Sequence, residues 1–139
     1  MESVRPSVLV IDDDPANADT LAMVLNVSGF KATAVYSGEH GLELAQQSPF
    51  DHLVTDVVMR GMNGIDSAIA IRQMLPNCRI LLISGNNDTA ELLAMAATKG
   101  HVFNILAKPV HPTVLLEQMR AQSSVSALSR SLTAGASPE

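Results

Sequence analysis

The sequence predicts an α/β fold: a five-stranded parallel sheet covered by helices on both faces. Three observations point to it. Short apolar runs at residues 8–11, 32–36, 52–55, 80–84 and 103–107 alternate with longer segments whose apolar residues recur at helical spacing. The runs "VLVI" and "ILLIS" are apolar at successive positions, as strands buried on both faces require. Gly29, Pro76, Gly100 and Pro112 fall at the boundaries between segments. Strand and helix in alternation imply right-handed βαβ crossovers.

The first strand, 8–11, runs into Asp12, Asp13 and Asp14. Three adjacent acids at the end of an apolar run repel one another, and burying them is costly. Asp14 precedes Pro15, so it reads as the N-cap of the first helix rather than as a ligand. That helix carries Thr20, Leu21, Val24, Leu25 and Ser28 at spacings of three and four. The second strand, 32–36, leads into a shorter face made by Leu42, Leu44 and Ala45. The third strand, "HLVTD", ends in Asp56. Gly61 and Gly64 then read as loop glycines that let "RGMNG" turn beside it. A third helical face follows at Ile65, Ala68, Ile69, Arg72 and Leu75.

The fourth strand, "ILLIS", ends in Ser84, and a fourth helix presents Leu92, Leu93, Ala96 and Ala97. The fifth, "NILAK", delivers Lys108, and a fifth helix carries Val114, Leu115, Gln118 and Met119. Residues 1–122 are read as the domain. Residues 123–139, rich in Ser and Ala, are read as a helix extension or a flexible tail.

The 139 residues, 47% of them hydrophobic, suit one domain with one core. A net charge of −5, with nine Lys and Arg in no obvious block, argues against a nucleic-acid footprint. No apolar stretch approaches the ~20 residues needed to span a bilayer, and no signal peptide is evident, so membrane insertion is not expected. The single cysteine, Cys78, excludes an internal disulfide and suits a reducing compartment, with cytoplasm the default. Cys78 is expected to be a half-buried packing residue. His40, His52, His101 and His111 lack metal-ligand spacing and are expected in loops or at the surface. The seven methionines are expected to fill the core.

In an open parallel sheet the functional crevice lies beyond the carboxyl ends of the strands. There this chain places Asp12, Asp13, Asp56, Ser84 and Lys108. Clustered carboxylates call for a cation, and Mg²⁺ fits oxygen ligands with retained waters. A carboxylate is also a nucleophile that forms an aspartyl phosphate. Phosphoryl transfer then needs positioning and charge neutralisation, which a metal, a lysine and a hydroxyl supply.

The set "VIDDDP", "VTDVVMRGMNG", "LLISG" and "LAKP" resembles the receiver domain of two-component response regulators, over about residues 7–120. The resemblance implies the flavodoxin-like strand order 2-1-3-4-5. It implies that Asp12 and Asp13 hold Mg²⁺, that Asp56 is both phosphoacceptor and metal ligand, and that Val58 offers its backbone carbonyl to the metal. It further implies that Ser84 is the switch hydroxyl, that Lys108 pairs with the phosphoryl group, and that the Lys108–Pro109 bond is cis. The expected function is a phosphorylation-controlled binding module rather than an enzyme. A histidine kinase or phosphotransfer protein would feed it, and, with no second domain following, an unknown output protein would read it.

Three departures stand out. Arg60 replaces the usual Pro four residues after the acceptor, and Ile105 replaces the usual aromatic three residues before the lysine. The stretch between Gly100 and Lys108 is one residue longer than is usual. Ile105, stiff and apolar, is expected to stay packed, leaving residues 84–88 and the fourth helix to carry the switch. Two other readings compete. One is a receiver-fold scaffold that works without phosphorylation. The other is a haloacid-dehalogenase-type phosphatase using Asp12 and Asp14 in D-x-D spacing, which lacks the expected acids after Lys108.

Overall fold

The computed structural model describes residues 5–85 and 89–122; the tail read at 123–139 and part of the 84–88 loop lie outside the described residues. Five strands and the helices between them follow in strict alternation: β1 Ser7–Ile11, α1 Pro15–Val27, β2 Lys31–Val35, α2 Gly38–Gln47, β3 His52–Asp56, α3 Gly64–Met74, β4 Arg79–Ser84, α4 Thr89–Thr98 and β5 Asn104–Ala107. A final helix, α5, is described over 112–122. All strand pairs are parallel, and the sheet order is β2-β1-β3-β4-β5. The predicted fold and strand order are therefore observed.

The sheet is buried on both sides because its central strands carry apolar residues at successive positions. Val8, Leu9, Val10, Leu53, Val54, Leu81 and Leu82 are all 0% exposed, each such Val or Leu contributing roughly 1.5–3 kcal/mol by burial. Alternation along the strands divides them into two layers. Leu9, Ile11, Leu53, Ile80 and Leu82 pack against Ala45 of α2, Ile65, Ala68 and Ile71 of α3, and Ala96 of α4. Val8, Val10, Val54, Leu81 and Ile83 pack against Ala18, Ala22 and Leu25 of α1 and Leu115 and Met119 of α5. Asp14 caps α1 as expected: its Oδ1 accepts the Ala16 N–H at 3.0 Å, with Pro15 opening the helix.

Several expectations need correction. Thr20 is exposed; Leu25 is buried as expected, and α1 also buries Ala18 and Ala22, whose small side chains let the helix lie close to the sheet. Of the α4 and α5 faces, Ala97 and Val114 are exposed. Met23 and Met95 are also exposed, so not every methionine is core filler. Cys78 is buried rather than half-buried, and burial pushes its thiol up to about 12. Ile105 is 39% exposed, not packed. It sits on β5, the edge strand of the sheet among the described residues, and α4 packs against α3.

His52 is likewise not a surface histidine. It opens β3 at 2% exposure and meets Phe30 edge-on, with ring centroids 5.9 Å apart. Burial, aided by the Arg79 charge and opposed by Asp51, holds its pKa below the ordinary 6.5. The fold therefore favours neutral His52. That stability is fully present above pH 6.5 and is lost as the pH falls through the depressed folded value. Denaturant melts between pH 7.5 and pH 5 are expected to show a stability loss that His52→Gln diminishes; an unchanged slope would show that His52 is not its source.

Candidate functional site

The crevice forms where the chain reverses direction across the sheet, between β1 and β3. β1 ends at Ile11 and hands over to Asp12, whose N–H bonds the Val35 carbonyl of β2 at 3.3 Å. β3 carries Asp56 as its last residue, β4 carries Ser84, and β5 hands over to Lys108. The Lys108 N–H bonds the Ser84 carbonyl at 2.9 Å, which fixes the lysine's root against the neighbouring strand. The Lys108–Pro109 peptide is cis.

These side chains meet. Lys108 Nζ lies 2.8 Å from Asp56 Oδ2 and 3.9 Å from Asp12 Oδ2. One carboxylate oxygen each from Asp12, Asp13 and Asp56 lies within 4.8 Å of the others. Asp12 and Asp56 are buried, at 3% and 7% exposure, and Ser84 is buried beside them. Burial pushes the Asp12 carboxyl above its ordinary value, and the charges of Asp56 and Asp13 add to this. The Asp14 N–H, 3.0 Å from Asp12 Oδ1, and the Lys108 charge oppose it. Burial alone would lower the Lys108 pKa. Its hydrogen bond to Asp56 and the charges of Asp56, Asp12 and Asp13 outweigh that and raise it.

This donor set fits a divalent cation. Hard oxygen ligands converge, two of them buried, and one is held in a protonation-prone state by the lack of water around it. Beside them opens a groove of about 480 Å³, lined in part by Asp12, Asn17, Leu21, Lys108 and Pro109. Val58 lies just past β3 with half of its surface exposed.

Three features at the site had no clear signature in the sequence. Gly64 is not a loop glycine but the first residue of α3. A Cβ there would stand 1.9 Å from the Asp56 carbonyl oxygen, and its N–H bonds the Val57 carbonyl at 2.8 Å. Gly61, by contrast, has φ +76° and does serve a turn. Glu39 of α2 accepts the Met62 N–H at 3.3 Å, tying the β3–α3 loop from one side. Asp13 ties it from the other, its Oδ2 accepting the Arg60 N–H at 3.0 Å and Arg60 Nε at 3.4 Å. Asp14, exposed and engaged in capping α1, does not join Asp12 as the D-x-D pair that the phosphatase reading needs.

A strand-end cluster of acids met by a lysine, on a sheet of this order, is the arrangement that the resemblance to receiver domains implies. The response regulator receiver domain model matches residues 8–120. The chain belongs to that family, the phosphorylation-controlled module of two-component signalling. The DNA-binding response regulator MtrA of Mycolicibacterium smegmatis is 28% identical over 122 residues, covering 88% of this chain and 52% of MtrA. The cell cycle transcriptional regulator CtrA of Caulobacter vibrioides is 28% identical over 114 residues, covering 82% of this chain and 48% of CtrA. The chain thus spans about half the length of these curated relatives. A CheY-like receiver domain protein from Methanospirillum hungatei superposes with a TM-score of 0.78 at 20% identity, over 86% of this chain and 94% of that one, and shares the fold. Among the described residues, no helix is long and apolar enough to cross a membrane.

Two outcomes follow from the geometry. Gly64→Ala forces a Cβ into the Asp56 backbone, so chemical denaturation should show a loss of about 1–3 kcal/mol; a neutral substitution would mean that α3 is free to move off β3. Asp12→Asn keeps an oxygen for the Asp14 N–H and removes a charge that burial disfavours. Wild-type stability without metal should decline as the pH rises through the raised Asp12 value, and the variant should lack this decline. In EDTA at neutral pH the variant should therefore melt higher, and a lower melting temperature would contradict the electrostatic account.

Proposed function

We propose that Asp56 accepts a phosphoryl group from a phosphohistidine on a histidine kinase or phosphotransfer protein. The observation that carries this reading is the Lys108 ammonium 2.8 Å from Asp56, with Asp12 and Asp13 clustered against the same carboxylate. A carboxylate oxygen of Asp56 attacks phosphorus as the bond to the imidazole nitrogen breaks. An acyl phosphate forms, and the imidazole leaves as the departing group. Lys108 neutralises charge on the transferred group, and the Ser84 hydroxyl donates to one of its oxygens. Asp12, Asp13, Asp56 and the Val58 carbonyl would hold Mg²⁺, which when bound supplies positive charge for the phosphoryl oxygens. The groove beside Asp12 and Lys108 gives a donor side chain a way in.

On this reading the chain is a switch read by an output protein and not an enzyme with a substrate of its own. It acts without inserting into a membrane or gripping nucleic acid directly, in the cytoplasm where such kinases present their phosphohistidine. The net charge of −5 and the absence of a basic block support a protein partner.

The test is labelling with acetyl phosphate. Wild type should gain one base-labile phosphoryl group at Asp56 with Mg²⁺ and none with EDTA, and Asp56→Asn should gain none. Equal labelling of the Asn variant at the same position would refute the assignment.

A further inference from the structure

We infer that Arg60 is a built-in competitor for the divalent cation and sets the site to bind metal more weakly than its carboxylates alone would. The inference rests on the reading of the acidic cluster as the Mg²⁺ seat. Among the described residues, the three clustered carboxylates are met by two side-chain cations. Lys108 serves Asp56 and Asp12, at 2.8 and 3.9 Å. Asp13 is served by Arg60 instead, whose Nε stands 3.4 Å from Oδ2. A cation drawing on Asp13 Oδ2 shares that oxygen with the guanidinium or displaces it, and at Oδ1 the two positive charges still repel across one carboxylate.

The Arg60 side chain is 89% exposed. Water screens its charge and it leaves readily, so it weakens binding without blocking it. The backbone adds a second hold. The Arg60 N–H donates to the same Asp13 oxygen at 3.0 Å, a bond that proline, the residue the resembling family usually carries here, cannot make. Arg60→Ala keeps this bond and removes only the guanidinium, which isolates the charge from the loop anchor.

The experiment is isothermal titration of the intact chain with MgCl₂ at low ionic strength, for wild type, Arg60→Ala and Arg60→Lys. Arg60→Ala should bind Mg²⁺ ~two- to fivefold more tightly, the range expected from removing an exposed ion pair. Arg60→Lys should stay near wild type, and the gap between wild type and Ala should narrow as NaCl is raised. A purely structural role would not give this pattern of charge rescue and salt dependence. Binding by Arg60→Ala that equals or is weaker than wild type overturns the competition and leaves the metal seat standing. Absence of Mg²⁺ binding in all three proteins overturns both.

Discussion

The structure depends on an electrostatic conflict at the ends of two apolar strands. β1 and β3 are buried on both faces, and each delivers an acid into a nearly dry corner: Asp12 at 3% exposure and Asp56 at 7%. Charged groups so placed need partners. Lys108 is the partner that the fold itself provides. It arrives from β5, at the far edge of the sheet from β2, and its backbone is pinned to Ser84. The ammonium spans the gap that β4 leaves between β3 and β5. The order of the strands and the pairing of the charges are thus one constraint seen at two scales.

Close packing keeps that corner narrow. Gly38 and Gly41 of α2 approach Ser67 and Ile11 so nearly that a Cβ would stand 2.2 and 2.4 Å from them. Gly64 does the same to the Asp56 carbonyl. Three glycines with no need of unusual dihedral angles therefore bring α2 against α3 and β1, and α3 down onto β3. The Asp56 backbone is gripped between its strand and the start of α3, so its side chain has little latitude except toward the crevice.

Much of this was legible in the sequence because strand ends are chemically marked. Asp12, Asp56, Ser84 and Lys108 each follow an apolar run, and a parallel sheet gathers such ends on one edge. Helix faces were less legible. Periodicity favoured Leu21 and Val24, whereas the surface of α1 nearest the sheet is made by Ala18 and Ala22, whose small size permits contact that their hydrophobicity does not announce. His52 looked like a loop residue because polarity suggests exposure; its burial comes from the first position of a strand packed on both sides. Ile105 went the other way, since an apolar residue on an edge strand is covered only if a helix reaches it. The Glu39 tether to Met62 joins residues far apart in sequence and depends on how α2 sits beside α3, which no local pattern encodes.

The β3–α3 loop is held at two points by its main chain, from Asp13 at residue 60 and from Glu39 at residue 62. The Arg60 side chain adds a longer contact, its Nε 3.4 Å from the same Asp13 oxygen. Both main-chain bonds need only an N–H at positions 60 and 62, so the course of the loop past the acids does not depend on the guanidinium. This leaves residue 60 open to exchange beside the acidic cluster while the anchors of the loop stay in place. Exchange there would change the charge set against Asp13 while the backbone that carries it is kept.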